Sequence, residues 1–375
     1  MKYYLIAGEA SGDLHGSNLI KELKKQDPKA EFRVWGGDLM EQEGAVLVKH
    51  FKEHAIMGFI PVIMNIRTIK KNFKLAKKDI VEYQPDLVIF IDYSGFNLRV
   101  AEQIKPHGFK TFYYISPQVW AWRQHRVKKI KRLIDQMYVV LPFEKDFYKS
   151  WDYDVEYYGH PVLDAVRYKS AKLVSHEEFM EKYKLNDKPV IAILPGSRKQ
   201  EVKTMLPVML EMVELYPEYQ FVIAGAPSLD PEFYKKYILG KKVQLIFDET
   251  YQILKGADAA LVTSGTATLE TALLEIPQVV CYKTGQLTYQ IVKNLVNIKF
   301  ISLVNLIMDR LVVRELIQND FSKKILSEEL NAILNTSKRE SMLNDYKLLI
   351  QKLGDKNVSE RVGKAIYQKL KSLAD

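Results

Sequence analysis

Cysteine is almost absent from this chain of 375 residues. Cys281 occurs alone, inside the apolar run Gln278-Val279-Val280-Cys281-Tyr282. No disulfide can therefore close within the chain, and no cysteine cluster can hold a metal, as suits a reducing compartment. Long hydrophobic runs are lacking too. The longest uncharged apolar stretch, His54 to Ile66, holds 13 residues with Gly58 and Pro61 inside it, too few to span a bilayer. The first residues enter a strand pattern at once, so no signal peptide is expected. Acidic residues fall short of basic ones, 46 against 55, which leaves a formal net charge of +9. That balance asks for an anionic partner: nucleic acid, an acidic lipid surface or a phosphorylated substrate. No P-loop signature, metal-spaced histidine cluster or GxSxG elbow occurs, which argues against a P-loop ATPase, a zinc enzyme and an α/β-hydrolase. The first glycine turn is not a GxGxxG either, so NAD use has little support.

What is present is a globular composition, 47% apolar and 27% charged, with length enough for two α/β domains. Strands are expected near Tyr3–Ala7, Phe32–Trp35, Leu87–Ile91, Lys110–Ile115 and Met137–Leu141, then near Val190–Leu194, Phe221–Ala224, Val243–Ile246, Ala259–Val262 and Val279–Tyr282. Most are unbroken apolar runs, as in parallel strands covered on both faces. They alternate with helical patterns, as βαβ units do. Two of them run into glycine-serine turns, one in each half: Gly8-Glu9-Ala10-Ser11-Gly12-Asp13 and Pro195-Gly196-Ser197-Arg198. A helix that opens from such a turn presents backbone N–H groups and its positive dipole end to an anion, above all a phosphate. Having the arrangement twice predicts two nucleotide-fold domains facing a central cleft. A boundary is expected near Gly159-His160-Pro161, and Ser322 to Asp375 reads as helices only.

Two segments concentrate positive charge. Arg67, Lys70, Lys71, Lys74, Lys77 and Lys78 fall in one sector of a helix, beside a sector of Ile66, Ile69, Phe73, Ala76 and Ile80. The run before it contains Ile56, Met57, Phe59, Ile60 and Val62. An apolar segment beside a basic face suits a helix lying on an anionic membrane, where each Lys or Arg contributes about 1 kcal/mol. A core helix with a solvated lysine face is the plainer alternative. The second cluster, Arg123, Arg126, Lys128, Lys129, Lys131 and Arg132, follows Trp120-Ala121-Trp122. Such a cluster can stack nucleic acid, anchor a protein at a lipid interface, or simply face solvent.

Asp92 ends an apolar strand, and ligands of open α/β sheets bind beyond strand carboxyl ends. A carboxylate there can take a proton from an incoming hydroxyl, or merely cap the next helix. Glu9, Ser11 and Asp13 sit in the first turn, where turn and cap chemistry is the common use of such residues. Arg198 can clamp a diphosphate with its planar fork. Ser264-Gly265-Thr266 begins another hydroxyl-rich turn after a strand, and Glu270 falls in the first turns of the helix that follows. Glu270 could accept hydrogen bonds from sugar hydroxyls or only stabilise a helix start. Asn305 could hydrogen-bond a ligand.

Taken together, Ala7 to Asp13, Ile91-Asp92, Ser116-Pro117-Gln118-Val119-Trp120-Ala121-Trp122-Arg123, Leu141-Pro142-Phe143-Glu144-Lys145, Gly159-His160, Leu194 to Arg198, Ser264 to Glu270 and Ser302-Leu303-Val304-Asn305-Leu306 resemble the lipid-A-disaccharide synthase family. These motifs keep the family's order from residue 7 to about 306. The resemblance implies an α/β fold of two Rossmann-like domains (GT-B), with C-terminal helices crossing back to the first domain. The implied limits are 1–165 for the acceptor and membrane side, 166–340 for UDP-sugar binding and 341–375 for the returning helices. It implies an inverting transfer from UDP-2,3-diacylglucosamine to 2,3-diacylglucosamine 1-phosphate, giving a β-1,6-linked disaccharide phosphate and UDP, without metal or cofactor.

Carried onto this chain, Asp92 becomes the general base on the acceptor 6-hydroxyl, with Glu9 and Ser11 lining the acceptor side. Arg198, with Gly196 and Ser197, would stabilise the departing diphosphate. Ser264, Gly265, Thr266, Glu270 and Asn305 would hold the nucleotide. Many family members carry Pro-Asp where this chain has Ser94-Gly95, which leaves Asp92 as the only strand-end acid. Acylated substrates favour the membrane reading of residues 56–78, at the cytoplasmic face of the inner membrane, and leave room for a homodimer. Rival readings are a peptidoglycan glucosaminyltransferase, a UDP-sugar epimerase, or a nucleic-acid-binding protein using Trp120 to Arg132. The last leaves Asp92 and the paired phosphate turns without a purpose.

Overall fold

The computed structural model describes residues 1–54, 66–286, 289–290 and 298–373. They divide into two compact units, 1–161 with 355–375, and 162–354.

The first unit is built on seven parallel strands: β1 (Lys2–Ala7), β2 (Glu31–Gly36), β3 (Val46–His50), β4 (Leu87–Ile91), β5 (Thr111–Tyr114), β6 (Gln136–Val139) and β7 (Glu156–Tyr157). Their order is β3-β2-β1-β4-β5-β6-β7. Leu5 lies level with Val34 on one side and Ile89 on the other. All of β4 is buried, as an apolar strand under two helical layers must be. The helix Ala10–Gln26 returns the chain from β1. It places Asp13 in its first turn and Lys24 and Lys25 in its last, both favourable to its dipole. Leu19, Ile20 and Leu23 form its buried stripe. The helix Val358–Ser372 packs against it and buries Val362, Ile366 and Leu370.

The second unit repeats the plan with six parallel strands: β8 (Val190–Leu194), β9 (Gln220–Gly225), β10 (Val243–Phe247), β11 (Ala259–Thr263), β12 (Gln278–Tyr282) and β13 (Glu315–Ile317), ordered β10-β9-β8-β11-β12-β13. The helix Lys338–Leu353 belongs to this unit. Of residues 341–375, only those from Asp355 onward cluster with the first unit.

All ten strands expected from sequence are present. Three more, β3, β7 and β13, were not anticipated, and each lies at a sheet edge. An edge strand pairs on one side only and needs no unbroken apolar run. β3 has no wholly buried residue, and β7 and β13 span two and three residues. In both sheets the strand order reverses beside the first strand, between β1 and β4 and between β8 and β11. Those switch points are where open α/β sheets bind ligands.

Candidate active site

In the first unit the switch point is flanked by the Gly8-Glu9 turn after β1 and by Asp92 after β4, since Ala7 pairs with Ile91. Asp92 and Tyr93 are both left-handed, at φ 45° and 46°, a conformation that non-glycine residues adopt at some cost. A hydrogen-bond network holds it. The Asn97 amide donates to the Asp92 carbonyl at 2.8 Å, and the Tyr113 hydroxyl donates to the same carbonyl at 2.5 Å. The Asp92 N–H donates to the Tyr114 carbonyl. Burial raises the Asp92 carboxyl above its ordinary range, and the Tyr93 backbone N–H offsets part of that rise. A half-buried, rigidly carried carboxylate with raised proton affinity suits a general base.

The neighbouring groups are equally fixed. The Tyr93 ring stacks on Phe96 and lies over Gly8, where an added Cβ would stand 2.3 Å from the ring, so only glycine fits. Burial, then the negative charge of Glu9, pushes the Tyr93 hydroxyl up to about 12. Glu9 is half-buried and Ser11 exposed. Asp13 does structural work. Its two oxygens accept from the Gly37, Leu39 and Met40 N–H groups at 2.8–3.1 Å, capping the start of the helix Asp38–Gln42.

In the second unit the switch point is flanked by Gly196-Ser197-Arg198 after β8 and Ser264-Gly265-Thr266 after β11, since Leu194 pairs with Val262. Gly196 stands at φ 106°. The turn's donors are not open as expected. Glu201 Oε2 accepts from the Ser197 N–H at 3.0 Å and the Arg198 N–H at 3.2 Å, and Glu201 Oε1 accepts from Arg198 Nη1 at 3.2 Å. Glu201 thus occupies the place of an anion, and a diphosphate would have to replace its carboxylate there. The Arg198 side chain is 57% exposed, so its fork also reaches solvent. Thr266 and Gly265 are exposed, and Ser264 Oγ donates to the Ile301 carbonyl at 2.9 Å. Glu270 Oε1 accepts from the Tyr251 hydroxyl at 2.5 Å, and the Lys169 ammonium lies 4.7 Å from the Tyr251 ring centre.

Asn305 departs from expectation. It is wholly buried, and its amide makes all four of its hydrogen bonds within the fold. Oδ1 accepts from the Val312 and Val313 N–H groups, and Nδ2 donates to the Val313 carbonyl and Glu315. No capacity is left for a ligand. Glu315 also accepts from the Ile301 N–H and from Ser302. Asn305 therefore acts through that loop, which in turn holds Ser264.

Glu144 stood in the sequence reading only as part of the segment Leu141 to Lys145, with no role of its own. It is fully buried, accepts from Ser116 Oγ at 2.5 Å and from the Val140 and Leu141 N–H groups, and is pushed up to about 7 by burial. It ties the loop after β5 to the loop after β6. Its spacing behind Leu141, like that of Glu201 behind Arg198, is the signal of an acid that turns back onto the start of its own helix.

The basic helix Ile66–Tyr83 exposes Arg67, Lys70, Lys71 and Lys74. Its apolar residues Phe73, Ala76 and Ile80 are buried in the first unit's core, so that sector packs against the protein and is not offered to lipid. Ile56, Met57, Phe59, Ile60 and Val62 lie outside the described residues. Among the described residues, no helix is long and apolar enough to cross a membrane.

Comparison with known proteins gives a consistent picture. The family described as lipid-A-disaccharide synthetase matches residues 3–368. The lipid-A-disaccharide synthase of Syntrophus aciditrophicus is 40% identical over 366 residues, 95% of this chain and 94% of the relative. That of Geobacter sulfurreducens is 37% identical over 374 residues, 98% and 96% of the two chains. Among solved structures, the UDP-GlcNAc 2-epimerase of Neisseria meningitidis, bound to UDP-GlcNAc, superposes with a TM-score of 0.69. It covers 98% of this chain and 100% of its own, at 14% identity, a likeness of fold alone.

Proposed function

We infer the function from a premise of kinship: the chain belongs to the lipid-A-disaccharide synthetase family, and it is a glycosyltransferase of lipid A disaccharide synthesis with a sugar-nucleotide donor and a sugar acceptor. The donor is UDP-2,3-diacylglucosamine and the acceptor 2,3-diacylglucosamine 1-phosphate. Asp92 takes the proton of the acceptor 6-hydroxyl. The freed oxygen attacks the donor's anomeric carbon from the face opposite UDP, the carbon–oxygen bond to the diphosphate breaks, and the configuration inverts from α to β. Arg198 stabilises the charge that grows on the leaving diphosphate. Glu270, oriented by Tyr251, accepts from the ribose hydroxyls, and the Ser264–Thr266 turn faces the nucleotide. Glu9 and Ser11 line the acceptor side beside Asp92.

The observation that carries this reading is the placement of both residue sets at the switch points of their sheets, where a doubly wound sheet binds ligand. The exposed face of Arg67, Lys70, Lys71 and Lys74 supports peripheral attachment to an anionic surface, at the inner face of the inner membrane where acylated substrates reside. The stereochemistry tests the chemistry. NMR of the lipid product should show a β-1,6 linkage and free UDP, whereas an α linkage would rule out direct displacement with Asp92 as base.

A further inference from the structure

Two arginines of the first unit share one tryptophan. The Arg123 guanidinium lies 4.0 Å from the centre of the Trp122 ring and that of Arg126 lies 5.9 Å from it. Trp122 is 45% exposed. A third arginine, Arg99, lies 5.7 Å from the Phe73 ring. Arg126 is pulled below its ordinary proton affinity, first by burial, then by the charges of Arg123 and Arg99, so each of those two repels Arg126. Among the described residues none of the three makes an ion pair. Glu102, whose charge also meets Arg99, is committed to Lys129 at 2.7 Å and Arg132 at 3.6 Å. Arg123 and Arg126 are half-buried and Arg99 is exposed; a local excess of positive charge attracts an anion, and planar guanidinium forks match a phosphate.

The location narrows the anion. Arg99 is on the helix Ser94–Ile104, which opens directly after Asp92. Arg123 and Arg126 follow the short helix Val119–Trp122, which follows β5, the strand beside β4. All three thus stand on segments that leave the same carboxyl end of the strands as Asp92, the acceptor side in the proposed function. We infer that Arg123, Arg126 and Arg99, with Trp122, bind the phosphomonoester of the acceptor glycolipid. This rests on the proposed function and adds a site for the acceptor's charged end. A nucleoside diphosphate is the poorer candidate, because the residues argued to hold it belong to the second unit.

The test compares two acceptors in nonionic detergent: 2,3-diacylglucosamine 1-phosphate, and the same diacylated sugar without phosphate. Arg123→Ala and Arg126→Ala should each raise the acceptor KM by about tenfold or more, the worth of one charge-assisted contact. The donor KM and the thermal midpoint should hold. On the phosphate-free acceptor the variants should match the unsubstituted protein, and Arg123→Lys should recover part of the loss. Equal losses on both acceptors would overturn the assignment. A loss that appears only when anionic vesicles replace the detergent would give the patch to bulk lipid phosphate and also overturn it. Salt-sensitive binding of a DNA oligonucleotide, abolished by the same substitutions while the acceptor KM stays unchanged, would do so as well. If the unsubstituted protein released no UDP with the donor and either acceptor, the proposed function itself would fail, and this site with it.

Discussion

In the proposed reaction Asp92 meets two opposed demands. A general base must be ionised, yet burial penalises its charge and raises its proton affinity. Its folded pKa lies above the unfolded one, so its contribution to stability is present at low pH and is lost as pH rises through the folded value. Asp92→Asn should therefore melt higher than the parent at neutral pH while losing about 10²-fold or more in turnover, with UDP affinity retained. The acidic limb of the parent's pH–rate profile should vanish in the variant. Near-normal turnover would remove Asp92 from the proton transfer. At this scale, what sequence reveals depends on whether a role follows from position along an element. The positions of Asp92 and Arg198 at the strand ends were legible because each ends or follows an apolar strand. The inward role of Asn305 was not, since an amide in a helix's first turn looks the same in sequence whether it faces a ligand or its own fold. Glu201 and Glu144 were given no role from sequence, although their spacing behind the preceding turn carries the capping signal.

At the scale of elements, the interior strands could be read because both of their faces are buried, which demands apolar runs such as Leu87-Val88-Ile89-Phe90-Ile91. Edge strands such as β13 carry no such demand and were missed. The loops between elements depend on buried polar clamps, and Glu144 is the clearest. Its folded pKa of about 7 lies above the ordinary value of 4.5. The stability it contributes should be present below about pH 4.5 and fade as pH rises through 7. Glu144→Gln keeps an acceptor for the Val140 and Leu141 N–H groups and can donate to Ser116 Oγ. Thermal melts from pH 5 to pH 8 should fall more steeply for the parent than for this variant. Parallel curves would mean that Glu144 does not titrate in that window.

For the whole molecule, the sequence shows two nucleotide folds because glycine-serine turns recur after the first strand of each. It does not show which part of the C-terminal helices joins which unit, since Leu349 of one helix and Ile366 of the next are equally apolar knobs in sequence and are buried in different units. The basic surface is also a property of the whole. Replacing Lys70, Lys71 and Lys74 by Ser should weaken binding to anionic vesicles by about 1 kcal/mol per residue at low salt. The difference should shrink as ionic strength rises, and equal cosedimentation of parent and variant would remove this face from membrane attachment. The most direct test of the account is UDP release from UDP-2,3-diacylglucosamine, with and without 2,3-diacylglucosamine 1-phosphate, in detergent containing a metal chelator. The account predicts rapid release only when both lipids are present, undiminished by the chelator. Absence of release with both lipids, together with turnover of a non-acylated UDP-sugar, would contradict it.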